Sequence, residues 1–167
     1  MSKAKKGNLY CLLYGRGGGF TFLELFVALT ILVILAGFAI PKWGSLLPVF
    51  RLRGAARQLK AEFGRIKMQA ASENSRIRLV FSQRTYSTER RDGAVYRSMS
   101  GDIPLPVGID IRSTTRRRLG FTARGTATPG TGGTVKLCNV KAEGANVVVS
   151  STGRIRICIP DSCNGTC

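Results

Sequence analysis

Two arginines near the carboxyl end of the chain, in the segment Gly153-Arg154-Ile155-Arg156, are well suited to bind an anionic ligand. In a β-strand, alternate side chains point to the same face, so Arg154 and Arg156 would lie side by side with Ile155 on the opposite face. Each guanidinium can donate two parallel hydrogen bonds to phosphate oxygens, so the pair suits successive phosphates of a nucleic-acid backbone. Gly153 permits a turn that brings the backbone close to a ligand. The alternative is an exposed strand face that needs polar side chains of any kind.

A second arginine cluster and the overall charge favour the binding hypothesis. The chain has 26 Lys and Arg against 9 Asp and Glu, a net charge of +17 at pH 7. Such an excess predicts attraction to polyanions, among which nucleic acid, anionic lipid and lipopolysaccharide remain open. The second cluster consists of Arg116, Arg117, Arg118 and Arg124.

Catalytic chemistry finds little support in the sequence. The chain has no His, which excludes a His-assisted Ser or Cys nucleophile. The few carboxylates form no spaced pair of the kind that acid/base hydrolysis uses. We therefore expect no enzymatic activity and no cofactor.

The longest apolar stretch runs from Phe20 to Ile40 and contains one charge, Glu24. As a helix it would span about 31 Å, which matches the hydrocarbon core of a bilayer and predicts a membrane span over residues 20–41. A carboxylate in such a segment is costly unless it is paired, so Glu24 is predicted to be functional; the alternative places it at headgroup level. Residues 1–19 carry only positive charges, which predicts that this end stays in the cytoplasm.

The four cysteines that follow the predicted membrane span would then lie on the exported side of the membrane, where disulfides are favoured. Four cysteines allow three pairings, and zinc is a competing interpretation that the absence of His disfavours. We predict disulfides and no metal site. The cysteines concerned are Cys138, Cys158, Cys163 and Cys167.

Periodicity predicts an amphipathic helix over residues 42–75 and a β-rich domain over 76–167. Apolar residues at alternating spacings of four and three predict one buried helix face, made of Leu52, Ala56, Leu59, Phe63, Ile66 and Ala70. Short β-branched or alternating runs then predict an antiparallel sheet packed on that face, in an α+β domain. The predicted strands are Arg76–Ser82, Ala94–Ser98, Gly108–Ser113, Leu119–Ala123, Thr134–Cys138, Asn146–Ser150 and Arg154–Ile159.

The amino-terminal segment Gly19-Phe20-Thr21-Phe22-Leu23-Glu24, followed by the apolar run and Ala39-Ile40-Pro41, resembles that of type IV pilins and type II secretion pseudopilins. The resemblance implies that residues 1–19 are a leader and that a prepilin peptidase cleaves after Gly19 and N-methylates Phe20. It also implies that Glu24 neutralises the terminal amine of a neighbouring subunit during filament assembly. Loss of the leader, with its four basic residues, would reduce the net charge from +17 to +13.

The carboxyl-terminal part is similar to the GspH/FimT branch of that superfamily. The similar segments are Phe121–Gly125, the Gly-rich turn Gly130–Gly133, the strand Thr134–Leu137 and the run from Val147 to Arg156. Within this branch, a Gly-Arg-x-Arg segment is associated with FimT-like minor pilins that bind DNA for natural transformation. The resemblance therefore implies DNA binding by Gly153, Arg154 and Arg156, with the second arginine cluster as additional contacts.

These expectations define a minor type IV pilin, in or at the tip of a pilus, that binds extracellular double-stranded DNA without sequence preference. The alternative is a structural minor pilin or a GspH-like pseudopilin that primes filament assembly in a type II secretion system. Expected partners are other pilins or pseudopilins, the prepilin peptidase, DNA and, before assembly, the inner membrane. The globular domain would lie in the periplasm first and in an extracellular or periplasmic filament afterwards.

Overall fold

The computed structural model describes residues 21–166, with side chains throughout that range except at positions 38–45. The chain divides into two compact units, Met1–Pro41 and Lys42–Cys167. A single α-helix, α1 (Phe22–Ser72, 51 residues), begins in the first unit and ends in the second. Of the helical residues that the structure describes, no stretch combines the length and the hydropathy needed to traverse a lipid bilayer.

The described residues of the first unit form the apolar start of α1. Thr21 caps the helix: its Oγ1 accepts a hydrogen bond from the Glu24 N–H at 3.2 Å, and its carbonyl accepts one from the Leu25 N–H at 3.1 Å. The large apolar side chains from Phe22 to Leu35 are exposed. An exposed apolar surface of this extent is typical of a segment that contacts lipid or other protein chains.

The second unit contains ten strands within the described residues, arranged in two antiparallel sheets. The first sheet has the order β3-β2-β1-β6-β7, with β4 paired to β2, and the second has the order β10-β9-β8-β5. The strands are β1 (Ile77–Phe81), β2 (Thr85–Asp92), β3 (Val95–Ser98), β4 (Ile103–Pro104), β5 (Ile109–Thr114), β6 (Arg118–Phe121), β7 (Ala127–Thr128), β8 (Gly133–Asn139), β9 (Gly144–Val149) and β10 (Ile155–Cys158).

The predicted apolar stripe of the helix forms the core of this unit. All six of its residues are buried, and Phe63 at the centre is fully buried. Its ring packs against Phe81 of β1 at a centroid distance of 6.0 Å and edge-on against Phe121 of β6 at 6.1 Å. The predicted α+β fold, an amphipathic helix on an antiparallel sheet, is therefore confirmed.

Each of the seven predicted strands coincides with an observed strand to within a few residues, and three strands were not predicted. The largest of these is β2, whose sequence TYSTERRD contains four charged residues. Its inward positions Tyr86 and Thr88 are buried, whereas the neighbouring charged side chains lie on the rim or the outer face of the sheet. Burial also raises the pKa of the Tyr86 hydroxyl, so Tyr86 is neutral in the core.

The prediction of disulfides is confirmed for the pair Cys138 and Cys163, whose Cα atoms are 5.4 Å apart. This bond ties the end of β8 to the carboxyl-terminal tail. Cys158 also takes part in a disulfide, and Cys167 lies outside the described residues. Within residues 21–166, no group of His, Cys, Asp and Glu is arranged to hold a metal ion.

Candidate nucleic-acid interface

The Gly-Arg-x-Arg segment lies at the end of the tight turn between β9 and β10. The Gly153 N–H donates to the Ser150 carbonyl at 2.9 Å, and the Arg154 N–H donates to Ser150 Oγ at 3.0 Å. Gly153 is buried and has a φ of 81°, in the left-handed region that favours glycine. The turn therefore delivers Arg154 and the following strand to a fixed position at the edge of the second sheet.

Both arginines of this segment face solvent, as the alternation predicts. Arg154 precedes β10 and is exposed; Arg156 lies within β10, opposite Val148, and is also exposed. Ile155 and Ile157 on the other face pack against the core. Because β10 is an edge strand, a ligand can approach this face from the side as well as from above.

A second turn, between β6 and β7, packs directly against this segment and carries Arg124. A Cβ added at Gly153 would collide with the carbonyl oxygen of Gly125, so the two turns touch through their backbones. The Ala127 N–H donates to the Ser151 carbonyl at 3.0 Å and links the same two turns. Arg124 and Arg154 each adjoin one of the touching glycines, and both are exposed.

Arg116 reaches the same region from a third loop. Its guanidinium donates to Thr131 Oγ1 at 3.1 Å, and the adjacent Gly132 fits so closely against Val149 and Ser150 that a Cβ there would overlap the Val149 carbonyl. The loop containing Thr131 therefore packs on the start of the β9–β10 turn. Arg116, Arg124 and Arg154 together surround this turn, with Arg156 on the next strand.

The other two arginines of the second cluster, Arg117 and Arg118, lie outside the contacts that surround the β9–β10 turn. Arg118 is exposed on β6 and pairs in register with Val80, in the first sheet. Arg117 lines a separate cleft with Arg112 and Gln83. Of the three consecutive arginines, Arg116 therefore contacts the loop that packs on the β9–β10 turn, whereas Arg117 lines a different cleft and Arg118 lies on β6. A joint role of the three in DNA binding stays a prediction.

The candidate arginines are not neutralised within the described part of the chain. The ion pairs there use other arginines, and none includes Arg116, Arg124, Arg154 or Arg156. Since no carboxylate competes for these guanidiniums, they are available to an anionic ligand. The arginines that are paired with acids are Arg65, Arg78, Arg84, Arg90 and Arg97.

Lys67 of α1 supports the turn from beneath, a role that the sequence did not suggest. Its Nζ donates to the Gly153 carbonyl at 2.9 Å and lies 5.8 Å from the centroid of the Phe121 ring. Lys67 lies outside the predicted apolar stripe, and a charged residue at such a position is usually exposed on a helix surface. The structure instead has it half-buried, because Ile66 beside it faces the core and the two contacting turns cover the helix at this level.

We expect Lys67→Met to lower the free energy of unfolding by about 1 kcal/mol, because the Gly153 carbonyl would lose its charged donor and the Phe121 ring would lose its contact with the ammonium group. Chemical denaturation of the variant measures this. Lys60→Met is the matched control, since Lys60 is exposed on the same helix and the change in charge is identical. Equal stability of the two variants would contradict a supporting role for Lys67.

The assembly residues predicted at the amino terminus are described only in part. Glu24 is exposed in the first turn of α1, where a carboxylate also interacts favourably with the helix dipole. Thr21 and Glu24 have the spacing of a capping box, which is a second reason for these residue types at these positions. Gly19 and Phe20 lie outside the described residues.

A long helix whose second half packs on an antiparallel sheet is the pilin fold, and two solved structures share it. The type IV minor pilin FimU of Pseudomonas aeruginosa strain PAO1 is similar over 67% of this chain and 94% of that chain, with 23% identity and a TM-score of 0.54. The minor pseudopilin EpsH from the type 2 secretion system of Vibrio cholerae is similar over 65% of this chain and 97% of that chain, with 11% identity and a TM-score of 0.55.

The family follows from the sequence itself. A family model described as type II transport protein GspH matches residues 55–153, more than half of the chain. The chain therefore belongs to the GspH family, in the GspH/FimT-like branch of the type IV pilin and pseudopilin superfamily. It is a minor pilin or pseudopilin of a type IV pilus or a type II secretion system. A search among curated proteins found no match.

Proposed function

We propose that this chain is a minor type IV pilin that binds extracellular double-stranded DNA without sequence preference, for uptake in natural transformation. The observation that carries the proposal is the β9–β10 turn, where Arg154 and Arg156 face solvent beside Arg124 and Arg116. None of these guanidiniums has an acidic partner within residues 21–166. Four exposed arginines around this turn and at the start of β10 match a phosphate backbone, which is recognised by charge rather than by base sequence.

The test is a mobility-shift titration of the full chain, in a zwitterionic detergent, with two DNA duplexes of unrelated sequence at several salt concentrations. Neutralisation of about four to six phosphates predicts a slope of log K against log salt of about −4 to −5 for both duplexes. Binding that is weak at physiological salt, or that discriminates strongly between the duplexes, would contradict the proposal.

The apolar part of α1 serves as anchor and assembly helix in this proposal. A prepilin peptidase cleaves after Gly19 and methylates Phe20, the apolar helix holds the subunit in the inner membrane, and the subunit then moves into a filament with other pilins. The exposed apolar surface from Phe22 to Leu35 supports this, since lipid and then neighbouring helices would cover it. In the filament, Glu24 pairs with the terminal amine of a neighbouring subunit.

We expect Glu24→Gln to reduce the amount of this subunit in sheared filaments by at least about tenfold, because a buried amine that loses its carboxylate partner costs several kcal/mol. Immunoblots of filament and membrane fractions measure this, with the membrane level unchanged. Glu62→Gln removes the same charge further along α1, where the partner is Arg65 of the same helix, and should leave incorporation normal. Normal incorporation of Glu24→Gln would exclude the pairing.

A structural role in filament priming, as a GspH-like pseudopilin of a type II secretion system, is the second candidate. The family match favours it, since the matching family model is described as type II transport protein GspH. Gene deletion distinguishes the two functions. Loss of protein secretion or piliation, together with DNA binding no tighter than that of a neutral pilin, would establish the structural role instead.

A further inference from the structure

An open pocket of about 460 Å³ lies where the end of α1 meets the β6–β7 turn. One wall is the segment that leaves the helix and enters β1; the other is the turn that carries Arg124. The lining contains two arginines and several groups that can donate a hydrogen bond. The lining residues are Asn74, Ser75, Arg76, Thr122, Ala123, Arg124 and Thr126.

The sheet register places Arg76 beside the start of the turn that carries Arg124. Ile77 pairs with Phe121 across β1 and β6, so Arg76 and Thr122 are opposite each other one position further on. The β6–β7 turn is closed by the Thr122 N–H to Thr126 carbonyl bond and the Gly125 N–H to Thr122 carbonyl bond, each 2.9 Å. Arg76 and Arg124 are both exposed, and neither forms an ion pair among the described residues.

Hydroxyl groups complete the polar lining. Thr122 Oγ1 and Thr126 Oγ1 are 2.7 Å apart, and Thr122 Oγ1 also donates to the Thr126 carbonyl at 3.4 Å, so both hydroxyl groups are used within the turn. The Ser75 hydroxyl is already used, since it donates to the Arg91 carbonyl at 2.9 Å. The pocket therefore offers two guanidiniums to an anion, and no carboxylate is among its described lining residues.

Two features beside the pocket could repel an anion, and both are compensated. The carbonyl end of α1 is partly negative, but Gln69, Ala70 and Ala71 carbonyls accept hydrogen bonds from the residues that follow the helix. Glu73 is adjacent in sequence, but its carboxylate accepts hydrogen bonds from Gln69 at 2.7 Å and Arg90 at 3.2 Å. These two bonds also lower the pKa of Glu73, and its charge is paired with that of Arg90.

We propose that this pocket binds a phosphate group, held between the guanidiniums of Arg76 and Arg124. The source that fits its position is a backbone phosphate of DNA, because Arg124 adjoins Gly125 and thereby the turn that carries Arg154. That choice of source depends on the proposed DNA-binding function, whereas the affinity of the pocket for phosphate does not. Arg76 thus becomes a phosphate-binding residue that no motif in the sequence indicates.

The first experiment titrates inorganic phosphate into the full chain in zwitterionic detergent at constant ionic strength, and follows the arginine Nε–H resonances by NMR. Saturable shifts of two arginines are expected, and Arg76→Gln should weaken phosphate binding at least about tenfold, the effect of one charge-assisted contact. Arg112→Gln, an exposed arginine in another cleft, is the matched control and should retain the wild-type affinity. Shifts that do not saturate, or equal affinity in both variants, would overturn the proposed pocket.

The second experiment identifies the source of the phosphate. If it is DNA, Arg76→Gln should reduce the magnitude of the salt slope by about 1 and Arg112→Gln should not. If Arg76→Gln abolishes phosphate binding but leaves the salt slope of DNA binding unchanged, the phosphate does not come from DNA. The pocket is then a site for free phosphate. If the wild-type chain binds phosphate in the pocket but not DNA, the proposed function fails and the phosphate site stands.

Discussion

Replacement of both Arg154 and Arg156 by Gln should weaken DNA binding about 100-fold at physiological salt. Each guanidinium that contacts a phosphate contributes a charge-assisted hydrogen bond worth about 1.4 kcal/mol at an exposed site, which is a factor of about ten in affinity. Without these two guanidiniums, binding would release about two fewer counterions from the DNA, so the magnitude of the salt slope should fall by about 2. Both effects follow from the exposure of these side chains on one face at the edge of the second sheet.

The measurement needs a control that removes the same net charge at another place. Arg84→Gln with Arg97→Gln provides it, because both side chains are more than three-quarters exposed, at 79% and 77%. A general effect of charge would weaken binding equally in the two double variants. A localised interface predicts a large loss only for Arg154 and Arg156, and equal losses would contradict the assignment.

Local periodicity was sufficient to predict the helix and its buried face. Every residue of the stripe from Leu52 to Ala70 is buried, because a helix that covers a sheet must repeat its apolar residues with the helical period. The strand β2 was not predicted, because its sequence lacks an apolar pattern of this kind. Its burial alternates, but the inward residues are Tyr86 and Thr88 and the others are mostly charged, so hydropathy along β2 carries little signal.

The alternation of Arg154 and Arg156 about Ile155 was also correct, since it depends only on strand geometry. The surroundings of these arginines were not predictable, because they come from contacts between residues distant in sequence. Gly125 touches Gly153, and Lys67 donates to the Gly153 carbonyl across 86 positions of sequence. Cysteine pairing also depends on contacts between residues distant in sequence. Four cysteines allowed three pairings, and the fold brings Cys138 to Cys163.

Substitution of Gly153 by Ala should lower the free energy of unfolding by at least about 2 kcal/mol, because two penalties combine. A residue with a Cβ pays about 1–2 kcal/mol to hold the left-handed conformation that Gly153 adopts. The added methyl group would also collide with the Gly125 carbonyl, so the two turns must separate and weaken the hydrogen bond from Lys67. Gly101→Ala is the control for stability, because nothing lies within 4 Å of its added Cβ.

The same variant separates the geometry of the interface from its charge, because Gly153→Ala keeps every arginine. If separation of the turns costs one phosphate contact, DNA affinity should fall about tenfold in protein that is still folded. Circular dichroism and thermal unfolding establish the folded state before the DNA titration. Wild-type affinity in folded Gly153→Ala would mean that the arginines act as a diffuse positive surface. A loss of affinity without a change in charge requires that DNA contact Arg124 and Arg154 in the arrangement that the touching glycines impose.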